Sequence, residues 1–184
     1  LKAAGIFVDL SKGVELSKRV ILGRSGAVTG EMKLEQITTS WTALYHMLKE
    51  SFPAERYLQG KHVVTVTQDD HWVQVVCDDE SSYEAHLLLA SDGIRSTIRK
   101  NVDPLIKPVY SGYIAWRGVC KESDLSEHTQ QSLFNYFGFS FPEGEQILGY
   151  PVAGAENKTA VGHRRYNFVW YRPVVEDGEL AALM

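Results

Sequence analysis

The first half of the chain alternates between helical and extended patterns of apolar side chains. After a short extended segment at residues 5–10, the sequence predicts a helix over residues 12–22 and an irregular, glycine-rich segment over residues 23–36. Residues 41–52 then repeat apolar side chains at helical spacing, and Pro53 ends that pattern. The side chains that form this second helical face are Trp41, Leu44, Tyr45, Leu48 and Phe52.

The middle of the chain predicts strands followed by a short helix. Residues 62–67 and 72–77 read as a β-hairpin around an Asp69-Asp70 turn. Residues 83–91 form a further apolar strand that does not alternate, so we expect both of its faces to be buried in a parallel sheet. Residues 94–101 have the pattern of a short helix.

Aromatic side chains become frequent after about residue 105, and strands predominate there. The predicted strands cover residues 110–119, 132–140, 146–152 and 158–171. We therefore expect a mixed α/β (α+β) fold with two domains. Residues 1–105 would form an α/β part with parallel strands, and residues 106–184 a largely antiparallel sheet.

Composition excludes several classes of protein. The net charge of −4 gives no basic surface for nucleic acid, and no apolar run reaches the length of a membrane span. The six histidines lack metal-ligand spacing, so we expect no metal site. Cys77 and Cys120 lie in apolar patterns, which predicts unpaired thiols in a reducing compartment and a cytoplasmic protein. The sequence leaves an oligomer open.

The segment from Ser91 to Arg99 carries the most specific candidate chemistry. It reads as a strand, a tight turn at Asp92-Gly93 and a helix from Ile94, a geometry that brings backbone amides and a helix N-terminus to a phosphate. Gly93 has no Cβ and would allow a close approach of the backbone. The alternative is structural, with Asp92 acting only as a helix cap and Arg99 as a surface cation or an internal lock.

The residues Ser91, Asp92, Gly93, Ser96 and Arg99 resemble the Asp-Gly motif of the FAD-dependent aromatic-ring monooxygenases, the para-hydroxybenzoate hydroxylase-like family. Four further segments match this family in order, at residues 4–6, 39–48, 110–118 and 166–172. The last two resemble the branch that includes 2,6-dihydroxypyridine hydroxylase. The resemblance covers almost the whole chain and is specific for the family rather than for a substrate.

The resemblance implies a monooxygenase that binds FAD and uses NAD(P)H and O2 to hydroxylate a small aromatic or N-heteroaromatic ring. The cofactor-binding candidates are Asp92, Gly93, Ser96 and Arg99, together with Trp41. Trp41 stands where many relatives carry an arginine beside the flavin; it either packs on the flavin or belongs to the core. Because the flavin carries the chemistry, no catalytic dyad is expected, and the sequence identifies no catalytic residue.

The second domain would form the wall of the substrate pocket. The candidates for its lining are Arg117, Tyr136, Tyr150, Trp170 and Tyr171. Side chains alternate along a strand, so about half of these must point away from the pocket. Arg117 is a cation in an apolar strand and needs an anionic partner, either a phenolate or carboxylate of the substrate or an internal Asp or Glu.

Three motifs of the family are absent from the 184 residues. These are the Gly-x-Gly-x-x-Gly loop, the acidic residue that follows it at the ribose, and the Gly-Asp motif near the C-terminus. We therefore expect an internal fragment that binds FAD weakly and is inactive alone. Two alternatives remain: a flavoprotein of the same fold that does not hydroxylate, and a degenerate, non-catalytic binding module.

Overall fold

The computed structural model describes residue 3 and residues 9–183. The chain forms two compact units, one made of Leu1–Phe52 with Gly112–Met184 and the other of Pro53–Ser111. The family-like segment at residues 4–6 lies outside the described residues. Of the extended segment predicted at residues 5–10, the structure describes residues 9 and 10.

The described residues form strands and short helices in a mixed order. The strands are β1 (Gly13–Leu22), β2 (Val28–Thr39), β3 (Val63–Gln68), β4 (Val73–Cys77), β5 (Ser82–Ala85), β6 (Tyr113–Lys121), β7 (Phe137–Ser140), β8 (Gln146–Val152) and β9 (Arg165–Pro173). The helices are α1 (Trp41–Glu50), α2 (Thr97–Val102), α3 (Glu127–Leu133) and α4 (Ala181–Leu183). Short 3-10 or π turns occur at Leu10–Lys12, Ala54–Arg56, Glu122–Asp124, Ala155–Asn157 and Glu176–Leu180.

The larger unit is built on a six-stranded sheet with the order β2-β1-β7-β8-β9-β6. The β1–β7 pair is parallel, and the other neighbours in this sheet are antiparallel. Its buried side chains include Val20 of β1, Phe134 at the end of α3 and Val169 of β9. α1 buries Ala43 and Met47, one turn apart on the same face of the helix.

The helix predicted over residues 12–22 is wrong, because this segment is strand β1 paired with β2. The segment predicted as irregular, residues 23–36, contains most of β2. In β1 the buried residues Val14 and Leu16 follow the two-residue period of a strand. A bulge between Leu16 and Lys18 then shifts the register, which is why the apolar spacing along this segment mimics a helix.

The second half is close to its prediction, with shorter strands. β7 begins at Phe137 rather than at residue 132, because α3 and Phe134 precede it. β9 begins at Arg165 rather than at residue 158. The α1 helix and the hairpin of β3 and β4 agree with the sequence prediction.

The smaller unit contains the three-stranded antiparallel sheet β3-β4-β5 and α2. The strand predicted over residues 83–91 ends at Ala85, and it is antiparallel to β4 rather than part of a parallel sheet. Leu87 is 72% exposed and Leu89 is 80% exposed, so the face of this run that carries both side chains is not covered by the described residues. The predicted burial of both faces is therefore wrong in this structure.

The mixed α/β class is confirmed at the level of the whole chain. The sheet of the larger unit is mixed and includes a parallel pair, and the sheet of the smaller unit is antiparallel. The functional division into residues 1–105 and 106–184 stays a prediction, and the structure adds that β1 and β2 share a sheet with β7, β8 and β9. Both cysteines are free thiols.

Candidate functional site

The Asp92-Gly93 turn is held by hydrogen bonds within the smaller unit. The Asp92 Oδ2 atom accepts a hydrogen bond from the Ile98 amide at 3.2 Å. Gly93 has a φ of +76°, a conformation that favours glycine, and the Ser96 amide donates to its carbonyl at 3.1 Å. Apart from Gly93 and its two chain neighbours, no described residue has an atom within 4 Å of the position that a Cβ of Gly93 would take, so this side of the turn is open.

The helix after this turn begins at Thr97, three residues later than the sequence predicts. Ser96 is buried and caps it, because its Oγ accepts a hydrogen bond from the Arg99 amide at 2.8 Å. The Ser96 hydroxyl, followed by the Ile98 amide, lowers the pKa of the Asp92 carboxyl. The predicted helix start at Ile94 is therefore wrong, and amides in the first turn of the helix bind this protein's own Asp92 and Ser96 side chains. A contact of this helix N-terminus with a phosphate stays a prediction.

The Arg99 side chain makes one hydrogen bond within the protein and has one donor atom without a partner among the described residues. Its Nη2 atom donates to the Ile94 carbonyl at 2.5 Å, which ties α2 to the turn. Its Nε atom is buried and has no hydrogen-bond partner among the described residues. An orphaned guanidinium donor beside an open glycine turn fits a phosphate group, so these residues are compatible with the FAD pyrophosphate.

Trp41 is the first residue of α1 and lies in the larger unit. Its side chain is 83% exposed, so the alternative of a core tryptophan is wrong. Ser40 precedes it as the helix cap, with the Ala43 amide donating to the Ser40 Oγ at 3.1 Å. The helix thus presents a large aromatic ring that the described residues leave open to a ligand.

The strand register divides the predicted pocket residues between the two faces of the large sheet. Arg117 pairs with Val169, Tyr150 with Asn167 and Tyr171 with Gln146, which places all three predicted residues on one face. We call this the pocket face.

Trp170 and Tyr136 belong to the opposite face. Trp170 pairs with Trp116 and alternates with Tyr171 along β9. The Tyr136 ring lies 3.4 Å from the position that a Cβ of Gly138 would take, two residues along the chain. Burial raises the pKa of the Tyr136 hydroxyl, and that of Tyr166 on the same face is raised further. The strand register therefore places these two predicted residues on the face opposite the pocket face.

A cleft of about 680 Å³ lies at one end of the pocket face. Tyr171 lines it together with Tyr113, whose ring meets that of Tyr171 edge-on with centroids 5.8 Å apart. Gln146, Leu148 and Phe141 contribute further side chains to the wall. Of the predicted pocket residues, Tyr171 is the one that lines this cleft.

A row of stacked aromatic rings continues along the pocket face. Tyr150 stacks on Phe137 with centroids 4.4 Å apart, and Phe137 stacks on Phe139 at 5.0 Å. Phe139 stacks in turn on Phe141 at 6.0 Å. The guanidinium of Arg19 lies over the Phe137 ring, 5.4 Å from its centroid.

Sequence reasoning named Tyr150 from this row and missed the three phenylalanines. The alternation of Phe137, Phe139 and Phe141 in the sequence was the signal that could have found them. Gln146 and Tyr113 gave no such signal, because their place in the cleft depends on pairing with other strands.

Arg117 is exposed on the pocket face and makes no ion pair or side-chain hydrogen bond among the described residues. An internal Asp or Glu partner, one of the predicted alternatives, is thus not found in this part of the chain. Over residues 3 and 9–183, no group of three or more His, Cys, Asp or Glu side chains is arranged to hold a metal ion. Within the same residues, every helix is too short or too polar to cross a membrane.

Known proteins resemble this chain in both sequence and structure. A family model described as FAD binding domain-like matches residues 110–184. The 2,6-dihydroxypyridine 3-monooxygenase of Paenarthrobacter nicotinovorans is 32% identical over 187 residues, which cover 95% of this chain and 45% of that protein.

Two solved structures extend the comparison. The 2,6-dihydroxypyridine-3-hydroxylase of Arthrobacter nicotinovorans matches with a TM-score of 0.86 and 30% identity, over 100% of this chain and 46% of that one. Klebsiella pneumoniae HpxO, complexed with FAD and uric acid, shares the fold at a TM-score of 0.68 and 20% identity, over 89% of this chain and 41% of that one. The chain thus spans less than half the length of these relatives. Over the part that they share, the chain is similar in sequence and in fold to FAD-dependent aromatic-ring monooxygenases.

Proposed function

We propose that the protein hydroxylates a small, electron-rich aromatic or N-heteroaromatic ring. In this reaction the ring, O2, NAD(P)H and a proton give the hydroxylated ring, NAD(P)⁺ and water. The observation that carries the proposal is the 32% identity with 2,6-dihydroxypyridine 3-monooxygenase along 95% of the chain. The two free cysteines support a reducing, cytoplasmic location.

FAD, when bound, supplies the chemistry of accepting a hydride from NAD(P)H and activating O2. The residues of this chain would bind FAD, orient the substrate ring and shield the reaction from water. Arg99 would bind a phosphate oxygen through its unused Nε donor, and the open side of Gly93 would admit the phosphate. Asp92 and Ser96 would keep the turn in shape, because their side chains accept hydrogen bonds from the Ile98 and Arg99 amides. These two amides would not bind the phosphate themselves.

We propose that Trp41 contacts the flavin, because its side chain is exposed. An indole that is 83% exposed at the start of a capped helix offers a flat, rigid surface for packing against a ring. We propose a functional division in which residues 1–105 serve FAD and residues 106–184 serve the substrate. β1 and β2 are the exception, because they extend the substrate sheet.

The pocket face would form the wall over the reacting ring. Tyr113 and Tyr171 offer aromatic surface in the cleft, and Leu148 and Phe141 exclude water from it. Tyr150 and Arg117 lie on the same face and remain candidates for the pocket lining. Tyr136 and Trp170 would support this wall from behind.

The test is product analysis on the purified full-length protein loaded with FAD. Hydroxylated pyridines and phenols are offered with NADH or NADPH and isotopically labelled O2. We expect a hydroxylated product that carries one labelled oxygen atom. Oxidation of NAD(P)H that yields hydrogen peroxide alone would point instead to a flavoprotein that does not hydroxylate.

A variant pair tests the cofactor role of Arg99. Arg99→Met keeps the length of the side chain and removes its donors, and we expect it to weaken FAD binding roughly tenfold. Arg95→Met is the matched control, because Arg95 is exposed in the same turn and makes no ion pair among the described residues. Equal FAD affinity of the two variants would contradict the assignment.

A further inference from the structure

A second depression, of about 400 Å³, lies on the pocket face beside the cleft. Its base is a row of register partners, in which Ile21 of β1 pairs with Phe139 of β7 on one side and with Gly30 of β2 on the other. Residues paired in register point to the same side of a sheet, so these three positions share the pocket face. Met32, on the edge strand β2, forms its outer wall. We call this depression the side groove.

The side groove is continuous with the cleft. Phe141 lines both of them. Leu148 in the cleft and Phe139 in the groove are register partners on β8 and β7, so the two walls are adjacent. The rings of Phe139 and Phe141 are nearly parallel, with an interplanar angle of 8°. Only β7 separates β8 from β1, which puts the cleft and the groove about 10 Å apart at the usual spacing of strands.

The charged side chains in the lining of the side groove are already bonded to other side chains of the protein. Arg19 donates from its Nε and Nη2 atoms to the Gln36 Oε1, at 3.0 and 2.8 Å. The Glu31 Oε2 lies 3.0 Å from the Lys18 Nζ. Alternation along β2 also turns Glu31 to the face opposite Met32. A charged or polar ligand group would therefore lose its water here without gaining a free partner of opposite charge.

The side chains that remain to contact a ligand are apolar, and several are open to solvent. They are Ile21, Met32, Phe139 and Phe141. Met32 is 53% exposed, and Ile21 and Phe141 are exposed as well. Burial of apolar surface is favourable roughly in proportion to the area removed from water. The groove thus fits an apolar chain that extends over Phe141 from a ring in the cleft.

We propose that the substrate is an aromatic ring that carries an apolar substituent, with the ring in the cleft and the substituent in the side groove. The inference rests on the proposed hydroxylase function and adds the size and polarity of the group attached to the ring. Ile21, Met32 and Phe139 would contact the substituent rather than the reacting ring. They are therefore specificity-determining residues and not catalytic ones.

The first test measures ligand affinity by titration calorimetry on the purified full-length protein loaded with FAD. The probes are phenol, 4-ethylphenol and 4-hexylphenol. Each fully buried methylene should raise the affinity about threefold. Because the groove is open on one side, we expect 4-hexylphenol to bind about thirtyfold more tightly than phenol, with 4-ethylphenol between them. Equal affinities for phenol and 4-hexylphenol would overturn the proposal.

Variants separate the side groove from a general affinity for apolar ligands. Met32→Glu places a carboxylate at the groove and should weaken 4-hexylphenol binding about tenfold, with phenol binding unchanged. Met32→Leu keeps an apolar side chain and should keep both affinities. Val64→Glu is the matched control, because Val64 is 48% exposed on strand β3 of the smaller unit. Equal losses for both ligands in Met32→Glu, no loss for either, or the same loss in Val64→Glu would each overturn the proposal.

The competing occupant of the side groove is a second copy of the chain, which would bury the groove in an interface. Multi-angle light scattering separates the two cases. We expect the same molar mass for the wild type and for Met32→Glu. A wild-type dimer that becomes a monomer in Met32→Glu would overturn the proposal in favour of an interface.

Product analysis keeps this inference separate from the proposed function. Tight 4-hexylphenol binding that Met32→Glu weakens, without a hydroxylated product, would support the role of the groove and contradict the hydroxylase. Hydroxylation of phenols with an affinity that depends neither on chain length nor on Met32 would support the hydroxylase and overturn the role of the groove.

Discussion

Single side chains in this protein hold loops in place as well as forming candidate sites. Glu122 is 1% exposed, and its Oε1 pairs with the Arg164 Nη2 at 2.6 Å. Its Oε2 accepts hydrogen bonds from the Gly162 amide at 2.8 Å and the Arg164 Nε at 2.9 Å. The Arg164 guanidinium also lies over the Phe134 ring, 4.7 Å from its centroid. A charge buried this deeply is tolerated because every oxygen is bonded.

Glu122→Gln should destabilise the larger unit. The change keeps the volume but leaves the half-buried Arg164 without its counter-charge, so we expect a loss of about 3 kcal/mol in the free energy of unfolding. Urea denaturation monitored by circular dichroism measures this loss. Glu143→Gln serves as the control on an exposed glutamate, and an equally stable Glu122→Gln protein would contradict the assigned role.

The same carboxylate predicts a pH dependence of stability. Burial alone would raise the pKa of Glu122, but hydrogen bonds from Arg164 and the Gly162 amide outweigh it and the pKa falls below its ordinary value of 4.5. The unfolded chain then binds the proton more readily than the folded one. The stability from this group is complete above pH 4.5 and is lost as the pH falls through the folded pKa. Urea titrations below pH 4.5 should show a steeper loss for the wild type than for Glu122→Gln.

Gly154 occupies a position that admits no side chain. A Cβ built there would collide with the backbone carbonyl of His163, which cannot rotate away. Gly154→Ala should therefore displace the loop and lower the melting temperature by several degrees. At Gly30 an added Cβ would meet Ile21 at an ordinary distance of 3.5 Å, so Gly30→Ala provides the control in the same unit. Similar melting temperatures for both variants would refute the collision.

Site residues could be named from the sequence by type but not by direction. The aromatic content of the second half pointed to a wall of rings, and Tyr171 lies in that wall. The side of the sheet on which Tyr136 or Trp170 lies depends on strand register, which no local pattern specifies. The sequence left open whether Trp41 is buried or exposed, because an aromatic residue among the apolar positions of a helix is typical of the core. Its exposure depends on which residues surround it in the fold.

Secondary-structure elements show where local pattern was sufficient. The stripe of α1, its Ser40 cap and Pro53 after it determine a helix with no help from distant residues. The β1 segment lacked such signals. The spacing of its apolar residues fits both a helix and a strand. It forms a strand because it pairs with β2 and β7. The prediction of a strand over residues 83–91 is wrong for a similar reason, since the strand ends at Ala85. An apolar run forms a long buried strand only when neighbouring elements cover it.

The cap of α1 gives a prediction for this element. Ser40→Ala removes the acceptor for the Ala43 amide and should cost about 1 kcal/mol of stability. Ser40→Asp should retain it, because a carboxylate also caps a helix. Thr42→Ala, an exposed change in the first turn, is the control and should not destabilise. Denaturant midpoints of the three variants check the order, and a stable Ser40→Ala protein would exclude the cap as a source of stability.

At the scale of the whole molecule, the chain divides into two compact units joined by residues without regular structure. Leu105 and Val109 are 88% and 90% exposed in the part of the smaller unit that lies just before the joint at Ser111–Gly112. Thermolysin, which cleaves before large apolar residues, should therefore cut first between residues 104 and 109. Mass spectrometry of the early fragments tests this order. First cleavage within β8, which is paired on both sides, would contradict it.

The parallel pairing of β1 with β7 has a consequence for folding. Arg19 and Phe137 are register partners although more than a hundred positions separate them in the chain. The β1–β2 hairpin leaves the ribosome early and must wait for β7 before the sheet can close, while residues 53–111 are contiguous and contain all of their own strands. Closing so long a loop is slow and comes late. The smaller unit should therefore acquire protection from hydrogen exchange before β1 does.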